Sequence, residues 1–245
     1  MLPTALEVIA FNQNRKNSNI KFFEFGKTYE TSEAGVYKET NHLCVYVTGN
    51  STDNHWKGKG KEADIYYLKG IVQAVLNLVE IQPEFSPGKD EYFNAQLNAN
   101  IEDEVLVKLG KITAKTAAKF DVKQTVYLAN FNWDVLVQAA LQNKIQYKEI
   151  AKYPSVERDL ALVVPRDMRY EQITKEVTNL HLARLQDVKL FDIFENEKLG
   201  KEKKSMAINF TFLDEEKTLT DKEIEGWMNK IMTTLEKELG AEIRK

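Results

Sequence analysis

The chain has 245 residues, 43% hydrophobic and 29% charged, enough for one large domain or two ordinary ones and normal for a soluble globular protein. Residues 1–151 carry 17 Lys/Arg against 18 Asp/Glu, and residues 152–245 carry 17 against 19. Neither half is a basic wrapper, which argues against sequence-blind binding through phosphates and leaves contacts aimed at bases. No apolar run approaches the ~20 residues of a membrane helix. The opening MLPTALEVIAFNQNRK is too short and too polar for a signal peptide. A single cysteine, Cys44, excludes an internal disulfide and fits a cytoplasmic setting.

In chain order, Thr4 can cap a short helix carrying Leu6, Ile9 and Phe11. Ile20–Tyr29 and Leu43–Gly49 read as strands separated by a polar connection. His55–Lys61 contains Gly58-x-Gly60, but no strand precedes it as a phosphate loop requires, so it reads as a loop. Ala63–Val79 has one apolar stripe, from Ile65 through Leu68, Val72 and Leu76, and predicts a helix. Pro83 and Pro87-Gly88 end that stretch. Phe93–Ile101 and Val105–Ile112 alternate as a hairpin around residues 102–104. Ala114–Phe120 is a short helix, Thr125–Phe131 a strand, and Asn132 can cap a helix through Leu141. Hairpins and separate helices indicate α+β architecture rather than a parallel sheet.

A boundary near residues 142–152 divides the chain into segments 1–146 and 147–245. Beyond it, strand Arg158–Val164, helix Tyr170–Leu180, strands Leu185–Glu195 and Met206–Leu213, helix Asp221–Leu239 and a last strand Ala241–Arg244 form β-α-β-β-α-β, the ferredoxin-like order. Thr220 with Glu223 makes a capping box, and Gly240 a helix stop. On the strand LFDIF, alternation puts Asp192 and Phe194 on one face and Phe191 and Ile193 on the other. An acceptor beside a stacking ring reads single-stranded bases. A half-buried Phe beside an ordinary surface Asp accounts for the same pattern.

Chemistry is hard to assemble from these residues. His42, His55 and His181 have no metal-ligand spacing. No CxxC, GxSxG or Walker loop occurs, and Glu215-Glu216 reads as solvated charge in a turn. Between Met1 and Glu157 the only arginine is Arg15, whereas holding a polyphosphate usually calls for arginine's planar fork. No catalytic or metal site is therefore expected, and the first segment reads as scaffold.

Five blocks carry a family likeness: YPSVERD from Tyr153, FDIF from Phe191, Lys203-Lys204-Ser205, TLTD from Thr218, and GAEIR from Gly240. In this order they resemble the ferredoxin-fold anticodon-binding domain that ends the β subunit of bacterial phenylalanyl-tRNA synthetase. LPTALEVIAFNQNRKNSNIKFFEFGKTYE, ADIYYLKG and LGKITAKTAAKF resemble parts of that subunit's non-catalytic class II synthetase-like module. The resemblance implies a partial antiparallel α+β module over residues 1–146, followed by a ferredoxin-like βαββαβ domain over 147–245. It also implies that the α subunit performs the chemistry with ATP and Mg, so that this segment needs no cofactor of its own. Where a catalytic motif 2 has an arginine two positions before a glutamate, this chain has Phe22 before Glu24.

The implied partners are the phenylalanine tRNA anticodon, the α subunit and the remainder of the β subunit, with no membrane. Exposed apolar patches in the first segment would mark surfaces those chains cover. By the same resemblance Asp192 accepts from a base edge, Phe194 stacks on the first anticodon base in place of the usual tyrosine, and Ser205 hydrogen-bonds that nucleotide. Arg158 and Arg244 match positions near the face. Arg158 could instead pair with Asp159, and Arg244 could be a frayed end. Two other classes compete: a ferredoxin-like effector-binding or dimerisation module, which needs an apolar sheet face, and an enzyme in its own right.

Overall fold

The computed structural model describes residues 1–143, 147, 149–196, 199–200 and 202–244. The chain divides into two units, Met1–Gln146 and Tyr147–Lys245. Residues 144–146 and 148 of the expected boundary fall outside the described set, as do 197, 198 and 201 of the lysine-rich connection. Among the described residues no helix is long and apolar enough to cross a membrane.

The first unit opens with α1 (Leu2–Gln13), whose N-terminus is Met1 with Pro3 in the first turn. Thr4 lies inside the helix rather than at its cap, because proline already supplies a helical φ and no N–H to satisfy. Next come β1 (Ile20–Glu33) and β2 (Val36–Thr48), one long hairpin turning at Gly35 with φ +90°. The stretch expected as a polar connection is paired strand, with Lys27 opposite Asn41 and Glu30 opposite Lys38. Once the apolar parts pair, backbone hydrogen bonds continue outward through residues that need no core.

The remaining elements are α2 (Ile65–Asn77), β3 (Glu84–Gly88), β4 (Phe93–Ile101), β5 (Glu104–Ile112), α3 (Ala114–Ala118), β6 (Val126–Asn132) and α4 (Trp133–Gln142). The Asp64 carboxylate accepts from the Tyr67 N–H at 2.8 Å, and the Asn132 side chain from the Val135 N–H at 3.3 Å; both cap helices. β3 was not expected, because Pro87 reads as a breaker. It lies at the sheet edge, where a strand tolerates proline.

Six antiparallel strands run in the order β1-β2-β6-β5-β4-β3. Period-two alternation sends Leu43, Val47, Val107, Leu109 and Phe131 to a core shared with α2 and α4. Cys44, Tyr46, Ile112, Val126 and Leu128 go to a second core shared with α1 and α3. Val47 and Tyr46 are neighbours on one strand, so the two cores lie on opposite faces of the sheet.

The second unit contains β7 (Val156–Pro165), α5 (Tyr170–Asn179), β8 (Leu185–Phe194), β9 (Lys203–Phe212), α6 (Asp221–Leu239) and β10 (Glu242–Arg244). Its sheet is antiparallel in the order β10-β7-β9-β8, with one core. Leu160, Leu162 and Val164 of β7 join Met206, Ile208, Phe210 and Phe212 of β9. They pack against Ile173 and Val177 of α5 and Ile224, Met228, Ile231 and Leu235 of α6. Trp227 stacks on Phe212 with ring centroids 5.5 Å apart. At the start of α6 the Thr220 N–H donates to the Glu223 carboxylate at 3.0 Å, and Gly240 stops the helix in the left-handed region. Glu215 and Glu216 are exposed as expected, but their neighbour Asp214 is buried and pairs with Arg184 at 2.9 Å.

Candidate nucleic-acid interface

Both helices of the second unit pack on the face of Leu162 and Ile208, leaving the opposite face for the alternate residues. Strand register lays those residues out in rows. Arg244 stands opposite Ala161, Ala161 opposite Ala207, and Ala207 opposite Asp192. The neighbouring row is Glu242, Val163, Ser205 and Phe194. The next row on the other side is Asp159, Asn209 and Lys189, followed by Glu157, Thr211 and Asp187. Two methyl groups therefore form a low floor between an arginine and a carboxylate, with the Phe194 ring alongside.

Asp192 is exposed and Phe194 is 47% exposed, so the acceptor and the ring share one uncovered face. Ser205 lies on the same face between Val163 and Phe194 but is only 6% exposed. Arg244 is exposed on this face.

Arg158 is not on it. Its position on β7 shares the parity of Leu160 and Leu162, and its guanidinium is held by Asp221 at 2.9 Å and by the Glu157 carbonyl at 3.0 Å. The expected alternative, a pair with Asp159, is not what forms. Asp159 points to the open face and accepts from the Asn209 amide at 2.8 Å. Arg158 thus ties β7 to the start of α6, where Asp221 also suits the helix dipole.

One expectation about β8 needs correcting. Leu190 pairs with Ile208 and Asp192 with Ala207, so two steps of β8 match one step of β9. This bulge breaks the alternation, and Phe191 joins Lys189, Asn209 and Thr211 around an open cleft instead of turning to the core.

Among the described residues of the first unit, helices pack against both faces of the sheet. Phe22, where a catalytic arginine would stand, stacks on Tyr46 at 4.9 Å, and Glu24 accepts from the Tyr46 hydroxyl at 2.9 Å. Burial pushes the Tyr46 hydroxyl's pKa upward and the Cys44 thiol up to about 11. His42 is held between Thr28 at 2.8 Å and Asn130 at 3.0 Å. Among the described residues no three His, Cys, Asp or Glu gather in metal-binding geometry.

Residues 1–133 match the family described as the phenylalanyl tRNA synthetase beta chain CLM domain. The chain belongs to this family. Residues 151–244 match the ferredoxin-fold anticodon binding domain, a span that contains every strand of the four-stranded sheet. The phenylalanine–tRNA ligase beta subunit of Bacteroides fragilis is 35% identical over 98% of this chain and 31% of its own length. Those of Streptococcus pneumoniae and Bacillus cereus are each 32% identical over 100% of this chain and 31% of their own lengths. The chain thus spans about a third of the curated relatives it matches.

Within this phenylalanyl-tRNA synthetase beta-chain segment, sequence reasoning missed the alanine floor and Phe191. Ala161 could have been found, since it alternates with Leu160 and Leu162 and must face away from their core. Phe191 could not, because a bulge leaves no residue pattern of its own in LFDIF.

Proposed function

We propose that the open face of the four-stranded sheet binds the anticodon of phenylalanine tRNA. The rest of the chain is scaffold within a cytoplasmic phenylalanine–tRNA ligase whose α subunit uses ATP and Mg. The observation that carries this reading is the placement of Asp192 and Phe194 side by side on a face that, among the described residues, no helix of this unit covers. A base stacked on Phe194 brings its edge to the Asp192 carboxylate, which accepts from ring N–H or amino groups. Arg244, across the alanine floor at the opposite edge of the sheet, is placed to donate to a base edge. Glu157, Asp159 and Asp187 on the same face repel phosphates, consistent with recognition through bases. They also make the face unsuited to apolar dimerisation.

Exposed aromatics in the first unit support a partner chain there. Phe23 and Phe25 on β1 are 67% and 59% exposed, and Phe25 meets Trp133 edge-on at 4.9 Å. Tyr29 and Tyr37 are exposed further along the same hairpin. This patch suits the α subunit or the rest of the β subunit.

Titrating the chain with a phenylalanine tRNA anticodon stem-loop, and with one altered at the first anticodon base, tests the interface. Phe194→Ala should weaken binding by about 1–3 kcal/mol, the usual worth of base stacking on an aromatic ring. Asp192→Ala should erase the preference for the native first base. Unchanged affinity and preference in both variants would remove this assignment.

A further inference from the structure

We infer that Phe191 is a second stacking platform on the open face, taking the unpaired nucleotide next to the one on Phe194. The inference rests on the anticodon reading above and extends it from one base to two. Its basis is the bulge, where Leu190 opposite Ile208 and Asp192 opposite Ala207 leave Phe191 as the extra residue. Regular alternation continued back from Asp192 would turn the Phe191 ring to the core. Instead the ring borders a cleft of about 360 Å³ with Lys189, Asn209, Thr211 and Asp159. It is 54% exposed and outside the packed core of this unit. A large ring held in water by a backbone irregularity is a device that re-aims a side chain.

The two rings flank Asp192 on one strand. Three residues of strand span at most about 10 Å, a gap that adjacent nucleotides of a splayed single strand bridge. β8 is the edge strand, so the sugar–phosphate backbone can pass outside the sheet while its bases turn inward. The charges require that path. Glu157, Asp159 and Asp187 occupy the floor beside Phe191, and the cation lining the cleft is Lys189, on the edge strand itself. Phosphate is kept off the floor, and a π-face is what the cleft offers.

A cycle between protein rings and RNA bases tests this. Affinity of the 245-residue chain is measured for the anticodon stem-loop and for versions made abasic at the first or the second anticodon position. Phe191→Ala should weaken binding of the intact RNA about tenfold, within the range for one stacked base. It should have no effect on RNA lacking the second base. Phe194→Ala should show the same dependence on the first base. Phe191→Leu keeps the apolar bulk without the ring and should behave like the alanine variant, and both should melt within a degree or two of the parent.

Phe191 variants that lose nothing, or lose equally on all three RNAs while Phe194 still couples to the first base, overturn the second platform and leave the anticodon reading standing. If Phe194 shows no coupling either, or the chain binds no stem-loop, both fall together.

Discussion

The two sheets of this molecule are built from the same alternating strands and finished differently. The six-stranded sheet has helices against both faces, so alternate residues of β2 enter separate cores: Leu43 and Val47 on one side, Cys44 and Tyr46 on the other. The four-stranded sheet has helices on one face, and its alternate residues, Ala161, Ala207, Asp192 and Phe194, remain in solvent or line a shallow floor. In the first unit the ring at position 22 is half-buried against a core; in the second the ring at position 194 lies on the open face. What separates Phe22 from Phe194 is the presence of a helix above the ring.

The largest effects should come from deleting rings on the covered side. Phe210→Ala and Phe131→Ala, each fully buried, should cost about 3–5 kcal/mol in chemical denaturation. Phe194→Ala on the uncovered side should cost less than about 0.5 kcal/mol, as surface substitutions do. A Phe194 variant as unstable as Phe210→Ala would erase the contrast between the faces.

Phe22→Arg sharpens the comparison from the other unit. It supplies the arginine that the sequence resemblance expects of a catalytic motif 2, but puts a guanidinium where a ring stacks on Tyr46. We expect a loss of about 1–3 kcal/mol from forfeited burial and ring stacking, with no phenylalanyl-adenylate formed from phenylalanine and ATP. Unchanged stability would mean that this face of the six-stranded sheet is not a sealed core.

The smallest effect belongs to the cap of α6. Lys217, Thr220 and the Thr220 N–H hold the Glu223 carboxyl down to about 2, below its ordinary 4.5. A folded value below the unfolded one stabilises above the unfolded value and is lost as pH falls through the folded one. The advantage of the parent over Glu223→Gln should be constant above pH 5 and should shrink between about 4.5 and about 2. Thr220→Ala should cost about 1 kcal/mol at neutral pH. A parent–variant difference independent of pH would show that the carboxylate charge does not support the cap.

The second unit was more legible from sequence than the first, for physical reasons. In α6 the apolar stripe, the capping box and Gly240 all agree, and the helix runs over Asp221–Leu239 as the spacing predicts. Consistency between cap, periodicity and stop leaves one solution. The β1–β2 hairpin was half legible. Its outer part is polar on both faces, and pairing there follows from the strand beside it rather than from the residues themselves. β3 was hidden because a proline at an edge looks the same in sequence as a proline in a loop.

At the interface, Asp192 and Phe194 were legible through alternation. Arg158 stays ambiguous in sequence because arginine beside a sheet face looks identical whether it meets a ligand or the first residue of a helix. Alternation alone puts Phe191 on the wrong side because one inserted residue inverts the parity of everything before it.

The floor made by Ala161 and Ala207 has a use of its own. Apart from Val163, which is buried, every other member of the two central rows carries charge, a ring or a hydroxyl, so altering it changes several properties at once. Exchanging either alanine for a bulkier aliphatic side chain would raise the surface while leaving the potential around Arg244 and Asp192 almost untouched. That gives an electrostatically silent way to close the face, against which the charged and aromatic variants can be calibrated.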